Sequence, residues 1–124
     1  MKKIYRLFIL IWVSFLLVTS CSTNIYLTPN INKKDVNNQK NGLWVCADTV
    51  TNQIIISKYK NGKLNGCYIS YYYCNGNLSE KGSYKNGKKK GVWRGYTIQG
   101  CLSSVIRYNR KGQIIRMELY NNIW

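Results

Sequence analysis

The segment Tyr59-Lys60-Asn61-Gly62-Lys63 recurs as Tyr84-Lys85-Asn86-Gly87-Lys88, and a degenerate third copy, Tyr108-Asn109-Arg110-Lys111-Gly112, follows at nearly the same interval. Self-similarity with a period of about 25 residues implies an array of like supersecondary units, each burying its apolar face on the next. A second signature keeps step with the first. Gly42-Leu43-Trp44, Gly66-Cys67-Tyr68 and Gly91-Val92-Trp93 recur at the same period, each at a matching distance ahead of the tyrosine of its unit.

Turn chemistry gives the units a strand character. Asn61-Gly62, Asn75-Gly76 and Asn86-Gly87 tolerate positive φ at both centres of a type I′ hairpin turn. Gln99-Gly100, Lys111-Gly112 and Thr51-Asn52 hold the equivalent places with weaker turn residues. Between them, segments near 43–50, 53–60, 67–73, 77–85, 92–98, 101–109 and 113–120 are dense in Ile, Val, Thr, Tyr and Trp, the residues that fit a pleated surface. The expected fold is all-β, an antiparallel meander of about seven strands in an elongated single sheet built from three hairpin repeats.

Composition narrows the function. With 124 residues, one domain is expected. There is no histidine, and Asp35, Asp48, Glu80 and Glu118 are the only carboxylate side chains, so the usual proton shuttle and the commonest metal ligand are missing. No catalytic residue, metal site or cofactor is expected. Apolar residues make up 45%, tyrosine numbers 11 and proline occurs once, at Pro29, which excludes a disordered chain.

Lys2, Lys3 and Arg6 precede an apolar run from Leu7 to Val18, too short to span a bilayer, which needs about 20 apolar residues. Residues 1–20 read as a signal peptide. Val18-Thr19-Ser20-Cys21 resembles the lipobox of bacterial lipoproteins, which implies cleavage before Cys21 and lipidation of its sulfur; an ordinary secretory signal and an uncleaved anchor are the alternatives. Several acyl chains, each contributing ~0.8 kcal/mol per buried CH₂, make such an anchor effectively permanent. Residues 21–40 read as a lipid-anchored polar linker, with an edge strand near Ile25 to Leu27 as the alternative, and 41–124 as the repeat domain. Loss of the leader still leaves sixteen basic against four acidic side chains.

The order Gly-x-Trp, aromatic pair, Asn-Gly-x-Leu, Tyr-x-Asn-Gly-Lys resembles the MORN-repeat-variant family, often labelled the YwqK-like antitoxin component, over roughly Lys40 to Tyr120. The fullest unit runs from Gly66 through Tyr71-Tyr72 and Asn75-Gly76-Asn77-Leu78 to Lys88. The first unit departs, with Ala47 and Asp48 in place of the aromatic pair, and the third has Tyr96-Thr97 there. The resemblance implies either a repeat-based binding or scaffolding module or an antitoxin-like protein that neutralises a toxin by direct contact. An exported lipoprotein could neutralise only an exported partner. The expected location is the cell envelope, on the periplasmic face of the outer membrane if the host is Gram-negative. The expected partners are the membrane, through the anchor, and either a protein or an anionic component of the envelope.

The motif residues Gly42, Trp44, Tyr59, Gly62, Gly66, Tyr68, Gly76, Tyr84, Gly87, Gly91, Trp93 and Tyr108, with Tyr71 and Tyr72, read as turn formers and stacked aromatic rungs, an exposed aromatic platform for glycan or nucleobase stacking being the alternative. Cys46, Cys67, Cys74 and Cys101 either form disulfides, Cys46 with Cys67 and Cys74 with Cys101 being conceivable pairs, or remain reduced strand residues. Lys85, Lys88, Lys89, Lys90 and Arg94 form the densest basic cluster. It is either a solvated loop or a contact for an anionic surface, headgroups ranking above nucleic acid, for which no binding motif accompanies the charge.

Overall fold

The computed structural model describes residues 31–121, and within them every regular element is a strand. The strands are β1 (Gly42–Asp48), β2 (Gln53–Lys60), β3 (Lys63–Tyr72), β4 (Leu78–Lys85), β5 (Lys88–Tyr96), β6 (Leu102–Tyr108) and β7 (Ile114–Leu119). They pair antiparallel in strict sequence order to form one open seven-stranded sheet, the expected meander. Each repeat supplies two strands, and β7 opens a fourth unit. The expected leader, Cys21 and residues 122–124 lie outside the described residues.

Asn61 and Gly62 take φ of 50° and 74°, and Asn86 and Gly87 take 47° and 79°, as a two-residue type I′ turn requires. Because these turns are so tight, β3 and β5 begin at Lys63 and Lys88, several residues earlier than the expected starts near 67 and 92. Gly66 and Gly91 therefore lie inside strands instead of ahead of them. Each sits at a register shift, opposite Ser57 to Tyr59 for Gly66 and opposite Lys81 to Ser83 for Gly91, with φ of 121° and 65°. Positive φ in mid-strand is the mark of a bulge, and it explains the recurrent glycine.

Asn75-Gly76 is not a two-residue turn. β3 ends at Tyr72 and β4 begins at Leu78, and residues 73–77 form a wider loop in which the Gly76 N–H donates to the Tyr72 carbonyl at 2.8 Å. Asn75 serves a different end: its Nδ2 donates to the Ile98 carbonyl at 2.8 Å, and Asn77 Nδ2 donates to the same oxygen at 2.9 Å. The loop thus ties one repeat to the next, a role that leaves Asn75 no need of positive φ.

The expected linker requires correction at its distal end. Residues 31–33 run along the outer edge of β1, where an unpaired row of N–H and C=O groups demands partners, and residues 34–41 turn back to lead into the strand. The Asn32 N–H donates to the Leu43 carbonyl (2.9 Å), and the Asn32 side chain bridges Val45 both ways, accepting from its N–H (2.8 Å) and donating to its carbonyl (3.0 Å). Trp44 Nε1 donates to the Lys33 carbonyl at 3.2 Å. Ile31 to Lys40 is an edge cap, not a free tether.

A single sheet buries little. Among the described residues the deeply buried apolar side chains are Trp93 on one face, and Ile56 and Ile69, cross-strand partners, on the other.

Candidate functional site

The repeat places its large rings on one face in a row that alternates big and small residues. Trp44 is opposite Ser57, Ser57 opposite Tyr68, Tyr68 opposite Gly82, and the Trp93 ring lies on Gly82. A Cβ at Gly82 would sit 2.2 Å from Trp93 Cδ2, so only glycine lets this ring lie flat against the sheet. Trp93 is 1% exposed, and its Nε1 donates to the Ser83 carbonyl at 3.1 Å.

Around it the rings meet edge to face or tilted. Tyr84 lies 5.0 Å and Tyr68 5.4 Å from Trp93 centroid to centroid, Tyr108 lies 6.4 Å away, and Trp44 pairs with Tyr59 at 6.1 Å. Such pairs contribute about 0.5–1.5 kcal/mol each beyond area burial. The expected rungs at Trp44, Tyr59, Tyr68, Tyr84, Trp93 and Tyr108 are thus present. Tyr71 and Tyr72 stand apart; the Tyr72 hydroxyl donates instead to the Tyr96 carbonyl at 2.9 Å.

Burial pushes the Tyr84 phenol from its usual 10.0 up to about 12, with Tyr68 and Glu80 nearby adding to the effect. Burial, then the Glu80 carboxylate, raises Tyr68 in the same direction. The folded state holds these protons more tightly than the unfolded chain does. Their contribution to stability is therefore complete below pH 10 and is lost as pH rises towards about 12. Denaturation midpoints measured across that range are expected to fall steadily; midpoints unchanged between pH 10 and about 12 would contradict the burial of Tyr84.

Two lysines complete the aromatic face. Lys40 Nζ lies 4.6 Å from the Trp44 ring and 4.9 Å from Tyr59, and Lys89 Nζ lies 3.8 Å from the Trp93 ring while pairing with Glu80 Oε1 at 2.9 Å. They are equivalent positions two repeats apart; Leu64 occupies the place between.

The basic cluster expected at Lys85, Lys88, Lys89, Lys90 and Arg94 is therefore divided. Lys89, opposite Tyr84, is committed to Trp93 and Glu80. Arg94, adjacent to Trp93 in β5, stands on the reverse face opposite Lys81, and Lys90 is exposed opposite Ser83. Lys85 joins a different group. With Lys60, Asn61, Lys63, Asn65 and Asn86 it lines an open groove of about 440 Å³ between the two Asn-Gly tips. The Gly87 N–H donates to the Leu64 carbonyl at 2.8 Å, which fixes the second tip against the first hairpin.

Both tips are closed by directly opposed lysines, Lys60 with Lys63 and Lys85 with Lys88. Like charges facing each other across a strand pair are destabilising, so these positions work against the fold and favour a bound anion. Lys60 and Lys63 do not stand out in the sequence because they are spread over two strands; the signal that could have found them is the Lys-Asn-Gly-Lys string itself.

Cys46, Cys74 and Cys101 are free and exposed, so neither conceivable disulfide forms. Cys46 and Cys67 lie on β1 and β3, which β2 separates, and Cys74 and Cys101 lie in the loops after β3 and after β5. Among the described residues no three histidine, cysteine, aspartate or glutamate side chains converge to hold a metal.

Comparison of the chain with protein-family models, with curated proteins and with solved structures finds no match, so the repeat geometry and the groove are what bear on its function.

Proposed function

We propose that the chain is a non-catalytic lipoprotein of the cell envelope, anchored at Cys21, whose repeat sheet acts as a binding module for anionic headgroups at the membrane surface. The observation that carries this reading is the groove lined by Lys60, Lys63 and Lys85, in which the directly opposed Lys60 and Lys63 and the nearby Lys85 gather three positive charges that an anion would relieve. Near an anionic surface each basic residue contributes about 1 kcal/mol, and salt screens the effect. The aromatic face supplies no competing site, since Trp93 is buried and Lys89 is already held.

The test is co-sedimentation of the unlipidated chain from residue 21, carrying Cys21→Ser, with vesicles of increasing phosphatidylglycerol content. Binding is expected to rise with anionic lipid and to weaken at least tenfold in a Lys60→Gln, Lys63→Gln, Lys85→Gln variant. Binding indifferent to lipid charge overturns the groove's role. A non-reducing peptide map of the native protein addresses the anchor: the expected modification of Cys21 is a diacylglycerol thioether, and a disulfide there overturns lipidation.

A further inference from the structure

The two edges of the sheet are treated differently. β1 is bonded at Leu43 and Val45 by Asn32, whereas no described residue pairs with the outer edge of β7. That edge is also apolar: Ile115 is 65% exposed, Met117 49% and Leu119 69%. An open strand edge is a template for another strand.

The hydrogen-bonding phase of β7 identifies which backbone groups are free. Tyr120 N–H donates inward to the Ser103 carbonyl at 2.8 Å. Inward-facing residues alternate along an antiparallel ladder, so Glu118 and Arg116, opposite Val105 and Arg107, also face β6. Met117 and Leu119 direct their N–H and C=O groups away from the sheet. The register shift at Arg107/Tyr108 leaves Ile115 as the extra residue at the start of this run.

We infer that β7 pairs antiparallel with β7 of a second copy of this chain, about a two-fold axis at Met117. In that register Met117 meets its own counterpart as a hydrogen-bonded pair, and Leu119 falls opposite Ile115. Arg116 falls opposite Glu118 twice, once on each side of the axis. The pattern of Arg116, Met117 and Glu118 is thus self-complementary in charge when read in opposite directions. Arg116 Nε already pairs with Glu118 Oε1 of its own strand at 2.8 Å, so both charges stand on one face and within reach of a facing strand. The two-fold axis makes the pairing isologous, and at the far edge of the sheet Asn32 already occupies Leu43 and Val45 of β1, so this contact joins two copies through β7 alone.

Site-directed crosslinking of the full-length chain in bacterial membranes tests this, in a background of Cys46→Ser, Cys67→Ser, Cys74→Ser and Cys101→Ser. Opposed Cα atoms of a hydrogen-bonded pair lie about 5.5 Å apart, inside the range a disulfide spans. Met117→Cys is therefore expected to give a species of doubled mass on mild oxidation. Leu119→Cys alone is expected not to, since its counterpart lies about 14 Å away, four positions along the pair. Adding Arg116→Glu to Met117→Cys places like charges opposite each other twice and is expected to lower the crosslinked yield about tenfold. Adding Glu118→Arg as well is expected to restore it, which separates lost pairing from lost folding. Four results overturn the inference: no doubled species, equal crosslinking from Leu119→Cys, a yield indifferent to the charge reversal, or an adduct with a different protein. An edge covered by the chain's own residues 122–124 would give the first of these.

Discussion

Gly82→Ala is expected to destabilise the sheet by roughly 3 kcal/mol, at the upper end of what one added methyl costs in a packed interior. The added carbon would sit 2.2 Å from Trp93 Cδ2 and 2.3 Å from Cε2. These are atoms of a rigid ring, itself enclosed by Tyr68, Tyr84 and Tyr108, so the clash cannot be relieved by swinging a flexible side chain aside. Gly82 is not among the positive-φ glycines, and the penalty is purely steric. Urea denaturation of the single variant, of Trp93→Ala and of the double variant separates this cause from a loss of backbone freedom. Coupled neighbours are non-additive, and Gly82→Ala is expected to cost little once the ring is gone. An additive cycle would refute the assigned contact.

Trp93→Ala carries the other large effect, about 3–5 kcal/mol, the range for truncating a fully buried tryptophan. The substitution removes the deepest side chain of the sheet, deletes the Nε1–H that donates to the Ser83 carbonyl, and leaves Lys89 without its ring. Small domains are marginally stable, with about 5 kcal/mol in hand at the low end, so such a loss unfolds much of the population at ambient temperature. Trp44→Ala is the internal comparison: its ring is only half-buried at the edge of the same row, and its smaller effect should separate position from residue type. Equal denaturation midpoints for the two variants would mean that the aromatic row is energetically uniform, contrary to its geometry.

The hairpins are legible in the sequence where local chemistry decides conformation. Asn61-Gly62 and Asn86-Gly87 specify positive φ at two adjacent residues, and every strand that the spacing implies is present. What escapes is the consequence of the bulges. A register shift changes which face the following side chains occupy, and nothing in a pattern of alternation announces it. For that reason Lys88, Lys89 and Lys90 look alike as a run, yet Lys89 is drawn onto Trp93 while its neighbours are exposed. Gly82 escapes for a related reason: lying outside any turn, it has no local role, and its meaning arises only when β4 meets β5. A trace of it exists in Ser57, the small residue one repeat earlier in the same place. Ile31 to Lys40 shows no period because it meets β1 by one isolated bridge, Ile31–Leu43, folds on itself by another, Lys34–Lys40, and takes most of its direction from side chains such as Asn32.

Because each strand pairs only with its sequence neighbours in one open sheet, no geometric closure dictates how many hairpins the sheet holds. Length is then an adjustable trait. Duplication or excision of one whole cassette between β2 and β6 would preserve every neighbour relation, provided the segment that seals β1 and the final strand are kept. Such a molecule can be lengthened or shortened by genetic copying alone, adding one more Asn-Gly tip and one more ring pair at each step.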